Sequence, residues 1–166
     1  MSSIAKRVYR HWSFRLVLLL LAVLVVRAFQ QRGVAEGKAP PLEGYDLQEQ
    51  VVSLQAFEGK AVLVHFWSSW CGVCQAMAGN VRSVSQDYPV IAVASHSGGA
   101  AEVSAYLEKE GLSLPVLLDP EGELASRYGV SSLPTSFVIG KSGRIHSAEV
   151  GYTTEAGLRL RLWLAD

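Results

Sequence analysis

Residues 61–84, AVLVHFWSSWCGVCQAMAGNVRSV, change character halfway. Ala61 to Trp67 is a short apolar run rich in β-branched and aromatic side chains, the composition of a buried strand. Past Cys71 the apolar residues Val73, Ala76, Met77, Val81 and Val84 recur at the spacing of one helix face. The junction predicts Cys71 at a helix N-terminus and Cys74 one turn inside, on the same side. Cα atoms three apart on a helix are roughly 5–6 Å from each other, within the range a disulfide spans. Unpaired backbone N–H groups and the positive end of the helix dipole favour a thiolate at the first sulfur. One reactive sulfur with a second in reach to resolve a mixed disulfide is the arrangement that thiol–disulfide exchange requires.

These are the only two cysteines in the chain, which limits the other readings. A structural disulfide closing so short a loop removes little chain entropy. A zinc site needs two more ligands; there is no second cysteine pair, and His11, His65, His96 and His146 contain no pair spaced as zinc ligands. A Cu(I) ion held by the two thiolates is chemically compatible, since soft sulfur suits it.

The 166 residues suffice for one domain plus appendages, and 49% of them are apolar, ample for one core. A formal net charge of +0 conceals an asymmetry. Residues 1–27 carry Lys6, Arg7, Arg10, Arg15 and Arg27 and no acidic residue, leaving 10 basic groups against all 15 acidic ones in the rest. A mildly acidic body with a basic N-terminal tail gives no support for nucleic-acid binding.

From Leu16 to Val26 every residue is apolar, and residues 12–29 keep that character around Arg15 and Arg27. Eighteen helical residues span about 27 Å, close to a hydrocarbon core of about 30 Å. Trp12 and Phe29 suit the interfaces, and the flanking arginines can reach the headgroups. The eleven-residue uninterrupted run also fits a cleavable signal, but Val26-Arg27-Ala28 makes a poor cleavage site. The expectation is a basic cytoplasmic tail over 1–11, a single-pass anchor over 12–29 in the cytoplasmic membrane, a linker over 30–44 rich in Gly, Pro and charge, and an exported domain over 45–166, in the periplasm or cell exterior.

Within that domain, strands are predicted at 51–54, 61–67, 90–94, 114–118, 135–139 and 144–150. Helices are predicted after Cys71, over 100–110 with Gly111 as the stop, as a short one running toward Tyr128-Gly129 after the Asp119-Pro120-Glu121-Gly122 turn, and from Thr154 onward. Leu158, Leu160, Leu162 and Leu164 alternate like a strand, which conflicts with the closing helix. The order implies an α/β sandwich with a mixed sheet.

Here the chain resembles the thioredoxin superfamily, in particular membrane-anchored TlpA/ResA-type thiol–disulfide oxidoreductases. The resemblance is carried by Phe66-Trp67-Ser68-Ser69-Trp70-Cys71-Gly72-Val73-Cys74, by Leu118-Asp119-Pro120-Glu121-Gly122, and by Tyr128-Gly129-Val130-Ser131-Ser132-Leu133-Pro134-Thr135-Ser136-Phe137. It implies a thioredoxin-like three-layer sandwich with a central mixed sheet, Cys71 as nucleophile and Cys74 as resolving thiol. It also implies a cis Leu133–Pro134 bond facing the pair, where the Leu133 backbone meets an extended substrate peptide, with Trp70, Gly72 and Val73 on the docking surface. No organic cofactor or metal is implied. The partners implied are protein thiols and disulfides, together with a membrane redox protein.

Three features depart from the family pattern. His65 stands where thioredoxins keep a buried Asp that helps move the second cysteine's proton; an imidazole can serve as that base, and a hydrogen-bonded core histidine is the other reading. Met77 stands where relatives that reduce cytochrome c precursors carry an acid. Gly-Val separates the cysteines, without thioredoxin's proline. Among anchored relatives the similarity leans toward the group linked to suppression of copper sensitivity. A peroxiredoxin-like thiol peroxidase is a further alternative, but that group has Thr-x-x-Cys where this chain has Ser68 ahead of Cys71.

Overall fold

The computed structural model describes residues 15–22 and 33–166. Two compact units separate at Arg32. In the first, residues 15–22 form a helix, α1, with exposed side chains. The rest of the anchor expected over 12–29, and the tail 1–11, lie outside the described residues. Among the described residues no helix is long and apolar enough to cross a membrane.

The second unit, Gly33–Asp166, is built on β3 (Val62–Trp67), in which every residue is buried. Its neighbours are β4 (Val90–Ser95) and β6 (Thr135–Ile139), and the five strands run in the order β5-β4-β3-β6-β7, with β5 at Val116–Asp119 and β7 at Ile145–Val150. β3, β4 and β5 are parallel, whereas β6 and β7 run antiparallel. The sheet is therefore mixed. Alternation along β3 sorts its side chains onto two faces. Val62, Val64 and Phe66 join a core with Ile91, Val93, Tyr128 and Phe137. Leu63 packs on the opposite face with Met77, Val81, Leu158 and Leu162, and Trp67 with Val103, Tyr106 and both cysteines.

The second face is covered by α2 (Gly72–Val84), α3 (Ala100–Glu110) and α5 (Glu155–Ala165). α3 ends where Gly111 takes a left-handed φ of 62°. α5 starts at Thr154, whose hydroxyl accepts from the Gly157 N–H at 3.2 Å. The alternating leucines resolve into two i,i+4 pairs: Leu158 and Leu162 are buried, Leu160 and Leu164 exposed. β5 starts two residues later than expected, because Pro115 has no N–H for the ladder and contributes only its carbonyl, accepting from Ala92 at 3.0 Å.

The first face is covered differently, and here the domain boundary is corrected. Residues 33–44, expected as linker, belong to the folded unit. Val34 and Leu42 are buried, and the Ala35 and Ala39 N–H groups donate to the carbonyls of Tyr128 (2.9 Å) and Gly143 (3.0 Å). The strap runs so close to Gly129 that a Cβ there would sit 1.9 Å from the Gly33 carbonyl oxygen. It leads into β1 (Glu43–Tyr45), which pairs antiparallel with β2 (Val51–Ser53). Prolines and glycines hid this segment, since a strap packed residue by residue has no helical or strand period to detect. Together with short α4 (Glu123–Arg127) it forms the third layer.

Candidate active site

β3 delivers the chain to its carboxyl end, and Ser68–Trp70 turn it into α2. Cys71 is the N-cap residue of that helix, with extended φ and ψ of −86° and 107°. Its sulfur accepts a hydrogen bond from the Cys74 N–H at 3.2 Å, so it takes one of the helix's unpaired donors. No acidic residue lies in the first turn to oppose a negative sulfur. Cys71 and Cys74 form a disulfide with their Cα atoms 5.2 Å apart. Cys71 is 9% exposed and Cys74 2%, so the first sulfur is the one a visitor can reach.

That access runs through a cavity of about 360 Å³ lined by Trp70, Cys71, Ser95, His96, Ala125, Val130, Ser131, Ser132 and Leu133. Trp70 is 67% exposed, and its Nε1–H donates to the His96 carbonyl at 2.8 Å, which fixes the indole beside the disulfide. Gly72 and Val73 are exposed on the first turn of α2. The Leu133–Pro134 bond is cis, and the Leu133 carbonyl oxygen lies 3.7 Å from Cys71 Sγ. The residues singled out in the sequence thus fall around one sulfur, apart from His65 beneath the pair.

His65 sits on the α2 face of β3, 4% exposed. Its Nδ1 lies 2.9 Å from Ser136 Oγ, directly opposite on β6. Burial lowers its pKa from 6.5 to about 4, because an imidazolium there would have no water to solvate it. The ring is neutral at physiological pH. His65 and Cys74 line a common cavity of about 10 Å³, the size of one water molecule. Met77 is fully buried against Leu63 and Val81 and takes no part in the site.

Sequence reasoning gave Ser136, Asp119 and His96 no place at the site, although the first two stand in the motifs quoted above. Ser136 is a polar residue inside a buried strand, a signal that is readable only once the β3–β6 register is known. Asp119 is a buried carboxylate that accepts from the Leu124 and Ala125 N–H groups at 2.9 and 3.0 Å and from Ser95 Oγ at 2.8 Å. It ties the start of α4 to the end of β4, below the cavity. Ser68 Oγ donates to the Ser95 carbonyl, so that hydroxyl's proton ties the turn after β3 to the end of β4 rather than facing the sulfur. Among the described residues no group of three or more His, Cys, Asp or Glu is placed to hold a metal, so an ion here would rest on the two sulfurs alone.

A two-cysteine helix cap facing a cis-proline loop, on a five-stranded mixed sheet, defines a thiol–disulfide oxidoreductase of the thioredoxin type. Comparison with known proteins agrees with that class. The model of the AhpC/TSA family matches residues 35–148, and the chain belongs to that family, within the TlpA/ResA type of the thioredoxin superfamily. It is 31% identical over 153 residues to a thioredoxin-like protein of Haemophilus influenzae, covering 91% of each chain. It is 31% identical over 126 residues to the thiol-disulfide oxidoreductase ResA of Bacillus thuringiensis, covering 73% of this chain and 72% of that one. A crystal structure described as a putative thiol:disulfide interchange protein DsbE from Chlorobium tepidum superposes with a TM-score of 0.70 at 26% identity, covering 80% of this chain and 98% of that one.

Proposed function

We propose that this protein is a membrane-anchored oxidoreductase whose domain exchanges disulfides with protein thiols outside the cytoplasm. The observation that carries the exchange is the Cys71 sulfur, capped by the Cys74 N–H and lying 3.7 Å from the Leu133 carbonyl at the edge of an open cavity. An extended peptide pairing with the Leu133 main chain brings its own sulfur to Cys71 with little demand on sequence. Trp70, Gly72 and Val73 form the surface it lies on.

A substrate thiolate attacks Cys71 Sγ, the Cys71–Cys74 bond breaks, and its electron pair leaves on Cys74. Neutral His65 shuttles a proton to that sulfur through the shared cavity. In the tautomer whose Nδ1–H donates to Ser136, the Nε2 lone pair takes up a proton released by the substrate thiols and hands it on to Cys74, which returns the ring to its neutral form. The second substrate thiolate then attacks the substrate sulfur of the mixed disulfide, and Cys71 leaves as a thiolate held at the helix N-terminus. Two electrons pass to the protein, one proton settles on Cys74 and the other is left in solvent. Run backward, the same steps reduce a substrate disulfide. Another thiol protein, itself in the membrane, resets the pair.

Anchoring is supported by the apolar stretch 12–29, its flanking basic residues and the basic tail ahead of it. The test uses the full chain in detergent with insulin or a peptide disulfide as substrate. Wild type should catalyse exchange, Cys71→Ser should fall to the uncatalysed rate, and Cys74→Ser should accumulate a mixed disulfide at Cys71. Full activity in Cys71→Ser would refute the mechanism. Tight one-to-one Cu(I) uptake without exchange would replace it with copper binding. Release from membranes by alkaline carbonate would refute the anchor.

A further inference from the structure

His96 is exposed at the end of β4 with a φ of 52°, left-handed territory that favours glycine. Its N–H donates to the Asp119 carbonyl at 3.0 Å, and its carbonyl accepts the Trp70 indole N–H at 2.8 Å. Its ring lies against Gly122, itself at φ 74°, where an added Cβ would come within 2.5 Å of the imidazole Cε1 and Nε2. The chain thus keeps a histidine where glycine is easier and a bare glycine opposite it, which seats the imidazole against Gly122; His96 is also one of the residues lining the cavity that contains Cys71. Packing alone does not call for this, since the side chain is exposed.

The other polar groups lining that cavity are Ser95, Ser131 and Ser132, and no acidic side chain is among its described lining residues. Ser95 Oγ is committed to Asp119, whereas Ser131 and Ser132 are exposed. The free polarity of the cavity is therefore that of an imidazole and two hydroxyls, all capable of donating to an anion. Beside them, Trp70, Val130 and Leu133 cover a short aliphatic stem.

We propose that this cavity is a specificity pocket for a carboxylate side chain of the substrate, read by His96. The inference rests on the exchange reading above and adds to it a preference among substrates. Its position in the peptide follows from strand geometry. In an extended segment whose cysteine points at Cys71, the adjacent residues point away, and those two positions along, about 7 Å distant, return to the same side. The carboxylate belongs two residues from the substrate's cysteine. Asp or Glu in that place donates nothing and accepts from His96, Ser131 and Ser132.

The test measures kcat/KM of the full-length protein on peptide disulfides carrying Asp, Asn or Lys two residues from the cysteine, on either side, and on the same set one residue away. Wild type should favour Asp over Lys by about tenfold at one of the two-residue positions, the scale of one charge-assisted hydrogen bond at a half-open site, and by nothing at the adjacent ones. His96→Asn tolerates the left-handed backbone and keeps the carbonyl that holds Trp70; it should bring the Asp-to-Lys ratio near one. His96→Asp should invert it. An unchanged ratio in both variants, or equal rates for all three peptides in wild type, would overturn the pocket while leaving exchange intact. Failure to exchange any peptide would overturn the exchange reading itself, and the pocket with it.

Discussion

The two faces of β3 carry different burdens. On one, Phe66 packs with Tyr128 and Phe137, their ring centroids 5.1–5.8 Å apart in tilted and edge-on contacts, under the strap that holds Val34 and Leu42. On the other, Leu63, His65 and Trp67 meet α2, and one of the three is polar. Both faces are buried, so burial does not separate them. What separates them is that the chemical face accepts a buried imidazole with a single side-chain partner, where an apolar residue would pack with fewer demands. That one polar residue of β3 lies directly beneath the α2 turn that carries the cysteines.

This difference predicts that stability and activity can be damaged independently. The largest effect on stability belongs to the aromatic face. Phe66→Ala removes the ring at the centre of the trio and leaves a cavity between Tyr128 and Phe137. The expected cost is about 3–5 kcal/mol. Denaturant unfolding should show that loss, while the folded fraction keeps the wild-type exchange rate. A proportionate loss of rate per folded molecule would show that the two faces are mechanically coupled.

On the chemical face, the largest effect depends on pH. In the disulfide state His65 has a pKa of about 4, against an ordinary 6.5 that it regains on unfolding. Between those values the unfolded chain binds a proton that the folded one refuses. The folded state therefore loses stability as pH falls from about 6.5 to about 4, and above 6.5 this dependence is absent. The depression corresponds to roughly 3 kcal/mol. His65→Leu should flatten this part of the stability curve while leaving Ser136 without its partner. If His65 shuttles the Cys74 proton, the same variant should slow resolution of the mixed disulfide by about a hundredfold or more. An unchanged resolution rate would reduce His65 to a core residue.

The chemical face was the more legible in the sequence. Cysteine spacing, the strand-to-helix junction and Leu133-Pro134 are local signals, each contained within about ten residues, and they assemble around one sulfur. What stayed hidden depends on pairings made across the chain. Ser136 matters only because β6 aligns it with His65, 71 positions earlier. His96 matters because the backbone turns left-handed there and Gly122, on another loop, makes room for its ring. The strap at 33–42 is held by carbonyls of Tyr128 and Gly143, about a hundred residues on, and its own composition is that of a linker.

The smallest effect tests the strap and completes the contrast between the faces. Tyr128 is fully buried and its hydroxyl donates to the Pro40 carbonyl at 2.8 Å, so one side chain serves both the aromatic trio and the strap. The low-dielectric surroundings push its pKa upward, which keeps the hydroxyl protonated and able to donate throughout the working range. Tyr128→Phe preserves the ring contacts with Phe66 and Phe137 and removes only that hydrogen bond. The expected loss is about 1 kcal/mol, including the Pro40 carbonyl left without its donor. Amide exchange should quicken at Ala35 and Ala39, whose N–H groups tie the strap down, and stay unchanged along β3 and α2. If exchange quickened at Cys74 as well, whose N–H caps the Cys71 sulfur, the strap would be holding the active site through the sheet, and the two faces of β3 would no longer count as separate.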